Sequence, residues 1–86
     1  MVDLMTTDPS IGPRMADELY RIAGVEDVTM TELLERMGIM SSSVVRWRAG
    51  LNMPNALTLR ALCEAGGDVV YVLTGSRVCT ELPPAG

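Results

Sequence analysis

The chain has 86 residues, a net charge of −4 and a hydrophobic content of 48%, with two cysteines and neither histidine nor phenylalanine. This length allows one small domain with a single core and excludes the larger enzyme folds, while the hydrophobic content excludes an acidic disordered chain. The absence of histidine excludes every triad, general base and metal site that depends on imidazole. The pI of about 4.5 argues, at first sight, against nucleic acid as a partner.

The first predicted helix begins at Ser10, carries apolar residues at helical spacing from Ile11 to Ile22, and ends near Gly24. The polar residues around Pro9 favour its start, and Gly24 suits the left-handed position that follows a helix. Two pairs of opposite charges at i,i+4 spacing are expected on its outer face: Arg14 with Glu18, and Asp17 with Arg21.

The remaining pattern predicts four more short helices, each with a polar residue at its start and a glycine at its end. The second helix is expected between Thr29 or Thr31 and Gly38, and the third between Ser41 or Ser42 and Gly50. The fourth is expected between Asn55 and the pair Gly66-Gly67, and the fifth between Asp68 and Gly75. The β-branched run at 69–72 also suits a strand, but a lone strand leaves its backbone groups unpaired, so a helix over 69–73 is preferred. The sequence therefore predicts an all-α compact bundle of about five short helices, with a flexible N-terminus at 1–9, a folded domain at 10–76 and a flexible tail at 77–86.

Signals for membranes, metals and cofactors are missing from the sequence. No run approaches 18 apolar residues, and acids stand where a signal peptide has basic residues, so we expect a cytoplasmic protein. Cys63 and Cys79 lack the spacing of metal ligands, and Cys63 is expected in the core because its neighbours are apolar. No phosphate-binding glycine loop or serine nucleophile motif is present, so we expect no catalytic residue, no cofactor and no metal.

The charges are unevenly distributed along the chain. Residues 1–35 hold two arginines and eight acidic residues, a net charge of −6, whereas residues 36–63 hold four arginines and no acid, a net charge of +4. Residues 64–86 return to a net charge of −2. Binding in a nucleic-acid groove requires such a positive segment, so the acidic total does not exclude DNA.

The second and third predicted helices are separated by three residues, Gly38-Ile39-Met40, which is helix-turn-helix spacing. The segment TMTELLERMGIMSSSVVRWRAGLNMP resembles the phage-repressor and Cro-like (XRE) helix-turn-helix family, and LRALCEAGGDVVYVLTGSR is similar to the closing helices of that family. The matching positions are Leu33, Leu34, Gly38, Ile39, Ser42, Val44, Trp47, Gly50 and Pro54. Met30, Met40 and Arg48 depart from the family, which often has Gln, a capping Ser or Thr, and Glu there.

This resemblance implies a lambda-repressor-like domain that binds a double-stranded DNA operator as a homodimer and regulates transcription. It also implies a location in a bacterial nucleoid or a phage-infected host cell. The chain then either acts alone, as Cro-like proteins do, or forms the DNA-binding part of a longer regulator. The fifth helix and the tail are expected to form the dimer surface, and completion of the core of one protomer is the alternative role of this helix. Its apolar residues are Val69, Val70, Val72 and Leu73.

The pattern of the third helix agrees with a DNA-reading role. Val44 and Trp47 share one face, which packs on the first two helices, and the opposite face is small and polar. The candidate base contacts are Ser41, Ser42, Val45 and Arg46. The candidate phosphate contacts are Thr29, Thr31, Ser43, Arg48, Asn55 and Arg60, some of which serve equally well as ordinary helix caps.

Two other functions are compatible with the same sequence. One is a protein-interaction module on the same fold, an antirepressor or antitoxin-type partner, that uses the acidic first helix. The other is an enzyme, which rests on Cys79 alone. No small-molecule ligand is evident from the sequence.

Overall fold

The structure is a computed structural model that describes residues 9–77, and these residues form five α-helices without a strand. The helices are α1 (Ile11–Glu26), α2 (Met30–Met37), α3 (Ser41–Arg48), α4 (Ala56–Glu64) and α5 (Val69–Thr74). The predicted all-α bundle of five short helices is confirmed. Most of the expected flexible N-terminus and tail, residues 1–8 and 78–86, lies outside the described residues. Among residues 9–77, no helix combines the length and the apolar character that crossing a membrane requires.

Three of the predicted helix starts are confirmed by hydrogen bonds from the backbone to the capping side chain. The Thr29 side chain accepts from the Glu32 N–H in a capping box, and those of Asn55 and Asp68 accept from the N–H groups of the third helical residues. Each bond satisfies an amide that the first turn of a helix leaves unpaired. Four of the glycines at the expected helix ends have positive φ angles: Gly38, Gly50, Gly66 and Gly75.

The predicted end of the first helix is wrong. Gly24 lies inside α1, and the helix continues to Glu26, after which Asp27 takes the left-handed conformation with φ of 58°. The N–H of Val28 then donates to the carbonyl of Ala23 over 3.0 Å. Val28 packs against the core from this position, so a tertiary contact sets the helix end and overrides the preference of Gly24.

The core lies along α1, which contacts α2, α3 and α5. Its buried apolar residues come from all five helices: Met15, Ala16, Leu19, Ile22, Ala23, Leu33, Leu34, Val44, Trp47, Leu62 and Val72. The expected burial of Cys63 is wrong, because α4 turns Leu62 towards the core and leaves the next residue exposed. Successive residues of a helix differ by about 100° in direction, so the residue after Leu62 need not lie on the same buried face.

The expected outward position of Glu18 is also wrong. Glu18 is fully buried, and its carboxylate accepts hydrogen bonds from Arg21 Nε at 3.1 Å, from Arg77 Nη2 at 2.7 Å and from the Asp68 N–H at 2.7 Å. Arg14 turns instead to α5, where its Nε donates to the Val72 carbonyl over 2.9 Å. Burial alone raises the pKa of Glu18, but the hydrogen bonds outweigh it and lower the pKa from 4.5 to about 2.

Candidate nucleic-acid interface

The α3 helix is held against α1 by two apolar side chains and by a close approach of backbones. Val44 and Trp47 are both buried, as the spacing predicts. Near the start of α1, a Cβ atom added to Gly12 would lie 2.5 Å from the Trp47 carbonyl oxygen and 2.7 Å from that of Asn52. The C-terminal end of α3 is therefore fixed in position by a contact that only glycine permits.

The opposite face of α3 is exposed, which confirms the predicted orientation of the helix. All four candidate base contacts lie there: Ser41, Ser42, Val45 and Arg46. Val45 keeps 66% of its surface exposed although it is apolar, and Ala49 at the end of the helix is exposed as well. Small side chains on this face would let the helix approach the floor of a major groove, which is wide enough for one helix.

Arg46 differs from Arg48, the arginine that lies nearest to it in sequence. The Arg46 guanidinium has no hydrogen bond or ion pair to any other group in residues 9–77, whereas Arg48 Nη1 donates to the Tyr20 hydroxyl over 3.4 Å. The Arg48 guanidinium also lies 5.6 Å from the centre of the Tyr20 ring, on the flank of α3 that faces α1. Arg46 thus keeps its donors available on the outward face, and Arg48 is partly committed to the α1–α3 contact.

The start of α3 lacks a capping side chain. The helix begins at Ser41, one of the two expected starts, and Met40 occupies the N-cap position, where the family often has a capping Ser or Thr. No side chain in residues 9–77 accepts a hydrogen bond there, and the Met40 carbonyl accepts from the Ser43 N–H over 3.0 Å. The amides of Ser41 and Ser42 therefore stay available to an anion such as a phosphate.

The expected phosphate contacts fall into two groups. In the first, the polar group already has a partner: Arg48 bonds Tyr20, Thr29 bonds Glu32 in the capping box, Asn55 Oδ1 accepts from the Thr58 N–H over 2.8 Å, and Arg60 Nε lies 3.3 Å from Glu64 Oε2. In the second, Thr31 is exposed in the first turn of α2 and Ser43 is half-buried in the first turn of α3. A residue that caps a helix can also contact a phosphate, so the role of each residue in DNA binding stays a prediction.

Tyr20 is the residue at this interface that sequence reasoning missed. It lies 28 positions before Arg48, and no local spacing rule connects the two residues. No group of three cysteine or acidic side chains in residues 9–77 is placed to hold a metal ion. The chain matches no protein-family model, and its comparison with curated proteins and with solved structures gave no match either.

Proposed function

We propose that this protein is a sequence-specific regulator of transcription that binds double-stranded DNA, with α3 in the major groove. The proposal joins the resemblance of its sequence to the phage-repressor and Cro-like (XRE) family with one observation. Arg46 lies on the exposed, small-residue face of α3, and its guanidinium has no partner in residues 9–77. A guanidinium in this position can place two donors on the O6 and N7 atoms of a guanine.

The distribution of charge supports the same proposal. One of the eight acids that make residues 1–35 negative, Glu18, is buried and paired with arginines, so it adds little to the field at the surface. The α3 helix carries Arg46 and Arg48 and no acid. Few phosphates can be neutralised by so few cations, so we expect weak nonspecific binding and a strong dependence on base contacts and on a second protomer.

A homodimer in the cytoplasm is part of this proposal. The α5 helix divides its apolar residues between two roles: Val72 is fully buried, whereas Val70 and Leu73 are 42% and 43% exposed. The fifth helix therefore completes the core of the protomer and still presents two apolar side chains to a partner. Two protomers related by a two-fold axis would place their α3 helices one turn of DNA apart, about 34 Å.

The test begins with selection of DNA sites from a random pool by the full chain, followed by mobility-shift titrations of the selected operator. Arg46→Ala should weaken operator binding by about 5- to 100-fold and relax the preference at one base pair, because it removes one bidentate base contact. The matched control is Arg36→Ala, which removes the same charge from an exposed position on α2. We expect the control to change affinity by less than about 2-fold and to leave the base preference unchanged.

Two results would contradict the proposal. Binding that survives Arg46→Ala combined with Ser41→Ala and Ser42→Ala would show that α3 does not read the operator. Failure to select any DNA site with folded protein would favour the protein-interaction module. The structure weakens one premise of that alternative, because Glu18 does not contribute to an acidic surface on α1.

A further inference from the structure

Tyr20 of α1 and Arg48 of α3 form a cross-helix pair at the edge of the proposed interface. Arg48 Nη1 donates to the Tyr20 hydroxyl over 3.4 Å, and the guanidinium lies 5.6 Å from the centre of the Tyr20 ring. Neither side chain is buried, and Tyr20 keeps 48% of its surface exposed. The two side chains therefore form an accessible surface feature, to which α1 and α3 each contribute one residue.

The direction of this hydrogen bond leaves donors on both side chains. The Tyr20 hydroxyl accepts from Arg48, so its own hydrogen stays available, and no group in the described part of the chain accepts it. A guanidinium has five N–H donors, and this bond uses one of them. Asp17, one helical turn before Tyr20, forms no ion pair with Arg48 and leaves its donors unoccupied. A positive charge with several hydrogen-bond donors beside it suits an anion.

Arg48 lies at the border of the DNA-reading face of α3. It follows Val45 by about one helical turn and Ser41 by about two, and both of these residues belong to that face. An α-helix with its side chains is about 10–12 Å across and the major groove is about 12 Å wide, so the flanks of a helix that reads base edges lie against the phosphate backbones. The Tyr20–Arg48 pair, on the flank nearest to α1, therefore faces phosphate in the proposed complex.

We propose that Tyr20 and Arg48 together bind one phosphate group of the DNA backbone when α3 occupies the major groove. Arg48 supplies the charge, while Tyr20 holds the guanidinium in position and donates a second hydrogen bond from its hydroxyl. This inference rests on the proposed function and adds to it a contact from α1, a helix that holds none of the predicted contacts. Phosphate contacts position a protein on DNA without reading its bases, so Tyr20 affects affinity and not sequence preference.

The test uses the operator obtained by site selection, with single phosphates replaced by methylphosphonate, which removes one backbone charge at a time. For the wild-type chain, replacement of the contacted phosphate in one half-site should weaken binding by about 3- to 10-fold. Arg48→Ala should weaken binding to the unmodified operator at least as much, because both protomers carry the change, and it should abolish the sensitivity at this phosphate. Tyr20→Phe keeps the ring beside Arg48; it should weaken binding by about 2- to 5-fold and reduce the sensitivity at the same phosphate.

The response at one phosphate distinguishes a contact from a structural role. If Tyr20 only stabilised the packing of α1 on α3, Tyr20→Phe would weaken binding but leave the sensitivity at every phosphate unchanged, and this result would overturn the inference. Full wild-type affinity of Tyr20→Phe would overturn it as well. In both cases a loss of binding with Arg46→Ala shows that the proposed function stands. Failure to select any operator contradicts both proposals together.

Tyr71→Phe is the matched control, because it removes the hydroxyl of the second tyrosine of the chain. The Tyr71 ring also contacts a guanidinium, that of Arg77 at 3.9 Å, but it belongs to α5. This variant should bind the operator within about 2-fold of the wild type and with the same sensitivity at every phosphate. If Tyr71→Phe reduced the sensitivity at the same phosphate as Tyr20→Phe does, the effect would not come from the Tyr20 hydroxyl and the inference would be overturned.

Discussion

The α1 helix is attached to its two main neighbours in physically different ways. On the side of α5, charged groups make the contact: Glu18 holds Arg77 and the Asp68 N–H, and Arg14 donates to the Val72 carbonyl. On the side of α3, apart from the exposed contact of Arg48 with Tyr20, apolar side chains and bare backbone make it, with Gly12 against the Trp47 carbonyl. The first contact depends on protonation and the second on shape. A substitution that targets one of them should therefore leave a signature that the other lacks.

The largest effect is expected at the charged contact. Glu18→Gln keeps the shape of the side chain but removes the negative charge that faces Arg21 and Arg77. The two guanidinium groups are 43% and 39% exposed, so water recovers part of the loss. We expect a decrease of about 2–3 kcal/mol in the free energy of unfolding, measured by chemical denaturation at neutral pH.

Glu35→Gln is the control for this measurement, because it removes an exposed carboxylate from α2. Its effect should stay within about 0.5 kcal/mol, as is usual for surface substitutions. If the two variants lost the same stability, the buried carboxylate would be no more important than a solvated one, and the comparison of the two contacts would fail.

The charged contact should also show its own dependence on pH. The pKa of Glu18 is about 2 in the folded chain and 4.5 for an ordinary glutamate, so folding favours the ionised form. This stabilisation is complete above the unfolded pKa and is lost as the pH falls from 4.5 towards 2. The difference in unfolding free energy between the wild type and Glu18→Gln should therefore shrink across this interval. A difference that stayed constant would mean that the pKa of Glu18 is not lowered.

The apolar contact should be broken by Gly12→Ala. The added methyl group would lie 2.5 Å from the Trp47 carbonyl oxygen, and neither backbone can yield without moving a whole helix. We expect a loss of about 1–3 kcal/mol, typical of overpacking in a filled core. Because no titrating group is involved, denaturation at about pH 6 and about pH 3 should give the same loss. If the loss of stability with Gly12→Ala changed with pH as the loss with Glu18→Gln does, the two contacts would not be independent.

The two contacts also differ in how well the sequence predicts them. The α3 contact follows from local periodicity, because Val44 and Trp47 lie three residues apart on one helix and face the core together. The same spacing predicts the outward face with Arg46. The charged contact cannot be predicted in this way: Glu18 and Arg77 are 59 positions apart, and an i,i+4 rule places Glu18 on the surface with Arg14. Long-range pairing of polar groups depends on a fold that must already be known.

The helix ends also divide into those that local sequence rules predict and one, the end of α1, that they do not. Gly38, Gly50 and Gly75 have positive φ angles at the predicted positions, and after Gly38 the packing of Ile39 on the core agrees with the local preference. At the end of α1, however, the packing of Val28 moves the left-handed position to Asp27, three residues beyond the glycine that local rules select. Local rules thus succeed where the packing of the next apolar residue on the core agrees with them, as it does for Ile39 after Gly38.

The substitution with the smallest expected effect, Gly24→Ala, tests whether the α1 helix ends at Gly24 or continues to Glu26. Gly24 is exposed inside the helix, its φ is not positive, and a Cβ added there meets no atom within 4 Å. Gly24→Ala should therefore stabilise the chain by about 0.5–1 kcal/mol, because alanine loses less conformational freedom in a helix than glycine does. It is the same substitution in the same helix as Gly12→Ala, with the opposite sign, so both thermal midpoints are measured side by side. If Gly24 instead ended the helix in the left-handed conformation, the alanine would destabilise the chain by about 1 kcal/mol, and the contact that Val28 makes with the core would not determine where α1 ends.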